Sequence, residues 1–67
     1  MKIILNHQIE EVAEQACLHD IVLERLGEKQ QGIAVAVNNI VIPRHARTQY
    51  VLQPNDNILI IQATQGG

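Results

Sequence analysis

Asn57-Ile-Leu-Ile-Ile-Gln62 is the most apolar strand-like run in the chain, and it leads directly into Ala63-Thr-Gln-Gly-Gly67. Strand side chains alternate between faces, so Ile58 and Ile60 point one way while Leu59 and Ile61 point the other. Neither face of the run is polar, the pattern of a strand that something covers on both sides. The tail has the opposite character. Residues 57–67 contain no charged side chain and end on Gly66-Gly67, the residue type that loses most backbone entropy when ordered. The terminal carboxylate is therefore the only formal charge at this end, ionised at neutral pH with an ordinary pKa of about 3.3–3.7. Residues 1–62 are expected to form a single domain, with 63–67 a flexible tail.

Working back from this strand, Ile33-Ala-Val-Ala-Val-Asn-Asn-Ile-Val-Ile-Pro43 reads as a hairpin. Asn38-Asn39 tolerate the positive φ of a two-residue turn, and Pro43 ends the returning strand by withdrawing a donor. Residues 44–56 read as an irregular connection with one helical turn. Near the start, Met1–Val12 reads as two short strands around a turn at Asn6-His7, with Ile3, Leu5 and Ile9 as core candidates. Between the hairpins the period changes to helical: Leu18, Ile21, Val22 and Leu26 share a face, and Gly27 can close the helix in a left-handed conformation. Cys17-Leu-His-Asp20 has the spacing of a capping box, but a thiol stands where a hydroxyl usually accepts the backbone N–H, which predicts a weak cap. The order is β-β-α-β-β-β, an α+β chain with one main helix on a mixed sheet of four to five strands. Ile3, Leu5, Leu18, Ile21, Val22, Leu26, Ile58 and Ile60 are expected between helix and sheet.

Composition narrows the function. Of the 67 residues, 46% are hydrophobic and Tyr50 is the single aromatic, so one small aliphatic core is expected. A net charge of −2 and the lack of a basic cluster argue against nucleic-acid binding. A single cysteine excludes an internal disulfide and a zinc site built on cysteine pairs. The three-residue apolar run at the start is too short for a signal peptide or a membrane span, and a cytoplasmic protein is expected.

Taken together, "IAVAVNNIVIPR", "VLQPNDNILII" and the terminal Gly66-Gly67 resemble the ThiS family of bacterial thiamine-biosynthesis sulfur carriers, which have the ubiquitin-like β-grasp fold. The resemblance covers essentially the whole chain, from "MKIILN" to "QGG". Two departures stand out. Asn55-Asp56 replaces the usual Gly-Asp before the last strand, which Asn accommodates because it can adopt the left-handed backbone. "HARTQ" lacks the aromatic residue that often follows "PR" in the family.

In that family the C-terminal glycine carboxylate is the working group, which the resemblance assigns here to Gly67, with Gln65 and Gly66 in the tail. It implies a ThiF-like adenylyltransferase that uses ATP to form an acyl-adenylate. A sulfur donor such as a cysteine desulfurase then converts this to a thiocarboxylate, and a ThiG-like thiazole synthase receives the sulfur. No bound cofactor is implied, and the chain itself is a protein substrate rather than an enzyme. Related ubiquitin-like proteins meet their activating enzymes with the sheet face opposite the helix, which singles out Leu59 and Ile61 as partner-binding residues and Gln62 to Gln65 as a leash.

Other residues have plainer readings. Cys17 is a small residue at a helix start before it is a sulfur relay. His7, His19 and His45 lack metal-ligand spacing. Glu10, Glu11, Glu14, Asp20, Glu24 and Glu28 read as a solvated face. Three further functions fit the same fold: the small subunit of molybdopterin synthase, a ubiquitin-like protein modifier, and an interaction module with an idle tail. The molybdopterin synthase subunits are usually longer and carry aromatic and proline residues before the diglycine, and "IIQATQGG" has neither.

Overall fold

The computed structural model describes residues 1–27 and 32–62. Strand β1 (Lys2–Leu5) turns into β2 (Gln8–Glu11), α1 spans Leu18–Leu26, and β3 (Ile33–Val37) turns into β4 (Ile40–Val41). A 3₁₀ helix, Arg44–Gln49, precedes β5 (Asn57–Gln62). The sheet order is β2-β1-β5-β3-β4, with β5 parallel to β1 and antiparallel to β3. One helix over a five-stranded mixed sheet is the β-grasp arrangement that the resemblance implies.

Asparagine shapes the turns. Asn6 and His7 have φ of 49° and 72°, and Asn38 and Asn39 have 52° and 71°, so both hairpins use two-residue turns with positive φ throughout. Asn55 takes φ 70° in the turn before β5, as expected for the residue that stands in place of glycine. Gly27 closes α1 with φ 60° and ψ −132°, a positive φ outside the left-handed helical well and accessible mainly to glycine.

Helix α1 has no side-chain cap at Cys17. The thiol instead donates to the carbonyl oxygens of Arg47 and Thr48, each at 3.2 Å. Backbone bonds from Leu18 N–H to Tyr50 O (2.9 Å) and from Leu52 N–H to Ala16 O (2.8 Å) complete the join between the helix start and the segment after the 3₁₀ helix. The connection is thus more regular than the sequence implies, with six residues of 3₁₀ helix rather than one turn.

Leu18, Ile21 and Val22 of α1 pack on Ile3 and Leu5 of β1, Val35 and Val37 of β3, and Ile58 of β5, with Ile42 and Leu52 closing the ends. Six of the eight expected core residues are buried, while Leu26 and Ile60 are half-buried at its margin. Ile9 is a correction: it is 71% exposed. The two-residue turn pairs Leu5 with Gln8 and hence Ile4 with Ile9. Ile9 therefore shares the parity of Ile4, on the face away from the helix, and not that of Ile3 and Leu5.

Arg47 occupies the stretch where the family often has an aromatic residue. It is only 4% exposed, and Nε and Nη1 have no hydrogen-bond partner among the described residues. Burial, with a smaller contribution from the neighbouring Arg44, holds its pKa below the ordinary arginine value. An unpaired buried donor costs about 1–3 kcal/mol. Arg47→Met, which keeps the bulk and removes the donors, should therefore raise the melting temperature, by about 4–8 °C per kcal/mol for a domain of this size. In the core, Ile58→Ala should cost about 2–5 kcal/mol in chemical denaturation. Ile60→Ala should cost less, and Ile61→Ala should stay within about 0.5 kcal/mol, as for an exposed position.

Candidate functional site

The alternation along β5 divides its side chains between two tasks. Ile58 is fully buried under α1, whereas Leu59 is half-buried and Ile61 is 56% exposed on the opposite face. Cross-strand register sets what surrounds them. Ala36 lies opposite Leu59 and Ala34 opposite Ile61, so the two large aliphatics of β5 stand beside small neighbours on β3. Ala36 is also paired with Val41 of β4, which is 66% exposed. On the other side of β5, Ile4 and Ile9 form a cross-strand pair on the same face.

The outer face therefore carries aliphatic side chains from all five strands, with Leu59 and Ile61 on the central one. Exposed apolar surface on a small protein is a candidate for contact with another protein. Leu59 and Ile61 lie on this face as the alternation along β5 predicts, and Ile9 and Val41 join them there without having been expected to. Counting parity through the two-residue turns, Leu5 to Gln8 and Val37 to Ile40, was the signal that could have found them.

Three asparagines fix the strand that carries this surface. At its start, Asn38 Nδ2 donates to Asp56 Oδ1 (3.0 Å), Asn57 N–H donates to Asn38 Oδ1 (3.0 Å), and Asn38 N–H donates to Asn57 O (2.8 Å). Gln53 N–H donates to Asp56 Oδ2 at 2.8 Å, which leaves both oxygens of this buried carboxylate bonded. Asn55 N–H reaches Lys2 O at 2.7 Å and ties the turn to β1. Further along β5, Asn6 N–H donates to Ile58 O (2.9 Å) and Ile60 N–H donates to Asn6 Oδ1 (2.8 Å).

The described strand ends at Gln62, opposite Ile33. Gln65, Gly66 and Gly67 lie outside the described residues, as does Glu28. The other acidic residues gather elsewhere. Glu10, Glu11, Asp20 and Glu24 line a cleft of about 390 Å³ between the β1–β2 hairpin and α1, spanned by an Arg25–Glu10 ion pair at 2.7 Å. Cys17 makes the two carbonyl contacts described above, a geometry that uses its proton as a donor and suits packing rather than nucleophilic attack. Among the described residues, no group of three or more His, Cys, Asp or Glu could hold a metal ion, and no helix is long and apolar enough to cross a membrane.

Comparison with known proteins agrees with this geometry. The chain is 36% identical, over all 67 residues of both chains, to the sulfur carrier protein ThiS of Escherichia coli strain K12. It superposes on the crystal structure of the thiamine biosynthesis protein ThiS from Geobacter metallireducens with a TM-score of 0.84, at 19% identity and complete coverage of both chains. The solution NMR structure from the same organism gives 0.78 at 19% identity, covering all of this chain and 88% of the other. These two likenesses establish the fold. The ThiS family model matches residues 3–67, and the chain belongs to the ThiS family.

Proposed function

We propose that this chain is a sulfur carrier for thiazole formation in thiamine synthesis, and that the Gly67 carboxylate is the group that other proteins activate and load. The observation that carries the reading is the family match, which runs from residue 3 to residue 67 and so includes Gly66 and Gly67. A carboxylate is a poor acyl donor, because resonance stabilises it and its leaving group would be oxide. On a ThiF-like adenylyltransferase, one carboxylate oxygen attacks the α-phosphorus of ATP and pyrophosphate leaves. The carbonyl carbon then bears AMP. The terminal sulfur of a donor persulfide, such as that of a cysteine desulfurase, adds to that carbon, and AMP departs with the electron pair of the C–O bond to leave an acyl disulfide. A thiol then attacks the donor-side sulfur of its S–S bond, forming a new disulfide with the donor, and the thiocarboxylate leaves with the electron pair for a ThiG-like thiazole synthase.

The carrier contributes no catalytic side chain to these steps. Its own contribution is presentation. Two residues without Cβ can enter a narrow channel toward a buried nucleotide, but ordering them costs entropy, so affinity has to come from another surface. The aliphatic face around Leu59 and Ile61 supports this reading because it lies on the strand that continues into the tail.

Incubation with the activating enzyme, ATP and a sulfur source should raise the intact mass by the difference between sulfur and oxygen. Adding one residue after Gly67, or deleting Gly67, should abolish that gain and leave the melting temperature unchanged. Normal loading of the extended chain would refute the assignment of Gly67. Leu59→Asp should weaken binding to the adenylyltransferase by about 1 kcal/mol or more in calorimetry, with the fold retained. Unchanged affinity of a folded variant would place the interface on another face.

A further inference from the structure

Strand β1 ends at Leu5, whereas β5 continues to Gln62, so the last part of β5 outruns its parallel neighbour. Parallel pairing in the register Leu5 to Ile58 leaves the edge of β5 beyond Ile58 without a strand on that side among the described residues. Asn6 fills the next position. Its own N–H donates to Ile58 O at 2.9 Å, and its side-chain Oδ1 accepts the Ile60 N–H at 2.8 Å. The side chain thus stands in for the backbone carbonyl that a longer β1 would have offered. Beyond Ile60, described strand pairing of β5 comes from β3 alone, through Ala34 with Ile61 and Ile33 with Gln62.

We infer that Asn6 is a positioning residue for the carrier's reaction: by holding Ile60 it fixes the last part of β5, the strand that precedes Gly67 in the sequence. The residue type suits both parts of the task. Asn6 sits at φ 49° in the hairpin turn, a conformation that asparagine, aspartate and glycine tolerate well. Among these, only asparagine and aspartate also provide a short side-chain acceptor. The position lies at the sheet margin and is exposed, so it makes no contribution to the buried cluster under α1. It touches no reacting atom. It acts by holding the end of β5 in place, and small errors in the placement of a reacting group can cost large factors in rate.

This inference rests on the carrier reading, and the test separates the two. Asn6→Gly keeps the turn conformation and removes the acceptor, whereas Asn6→Asp keeps both. Amide hydrogen exchange and steady-state adenylation are measured on the full chain with its adenylyltransferase. In Asn6→Gly the Ile60 N–H should exchange about tenfold faster, the order expected for one lost hydrogen bond. The kcat for adenylation should fall by about tenfold, with KM for the carrier nearly unchanged, because the aliphatic face is intact. Asn6→Asp should restore both. Equal loading of Asn6→Gly and wild type, unchanged exchange at Ile60, or failure of Asn6→Asp to restore kcat would each overturn the positioning role. A wild-type chain that acquires no sulfur under the same conditions would instead overturn the carrier reading, and with it any role for Asn6 in that reaction.

Discussion

Strand β5 lies between β1 and β3, and the rest of the molecule depends on that placement. Its backbone is engaged on both edges, in parallel to one neighbour and antiparallel to the other. Side-chain direction is then no longer free. Ile58 must lie under α1, and Leu59 and Ile61 must emerge on the far face. A slip of one residue would exchange the two sets, exposing the core isoleucine and burying the surface pair. The same register therefore sets the stability of the domain and the composition of its outer face.

Short polar side chains maintain the register where backbone pairing runs out. Asn38 and Asp56 secure the start of β5, and Asn6 secures it past the end of β1. Each of these asparagines also shapes a turn at positive φ, so one residue both turns its hairpin and bonds to β5. Such double use suits a chain of 67 residues, whose small core leaves little margin of stability.

Much of this was legible in the sequence because it depends on local chemistry. The Asn6-His7 and Asn38-Asn39 turns, the helix from Leu18 to Leu26 and its glycine stop all follow from residue type and period. The parity of β5 was legible for the same reason. Ile9 was misplaced because its side depends on how many residues the turn contains, which links two strands rather than describing one. Arg47 could not be anticipated: a charged residue in a polar stretch reads as exposed, and only the packing of the 3₁₀ helix buries it. The asparagine bonds to β5 join residues far apart in the chain, Asn6 to Ile60 in particular, and leave no periodic trace.

In the proposed function the outer face of the sheet supplies affinity and Gly67 supplies the reacting carboxylate. The central claim is that β5 carries the first and leads in sequence to the second, so that docking the face presents the terminus. Titration of the ¹⁵N-labelled chain with the adenylyltransferase, followed by amide chemical shifts, tests this most directly. The account predicts that the largest changes fall on Leu59, Ile61, Ala34 and Ala36 and continue to Gly67, while α1 is little affected. Changes centred on α1 and the acidic cleft, with the outer face of the sheet silent, would contradict it.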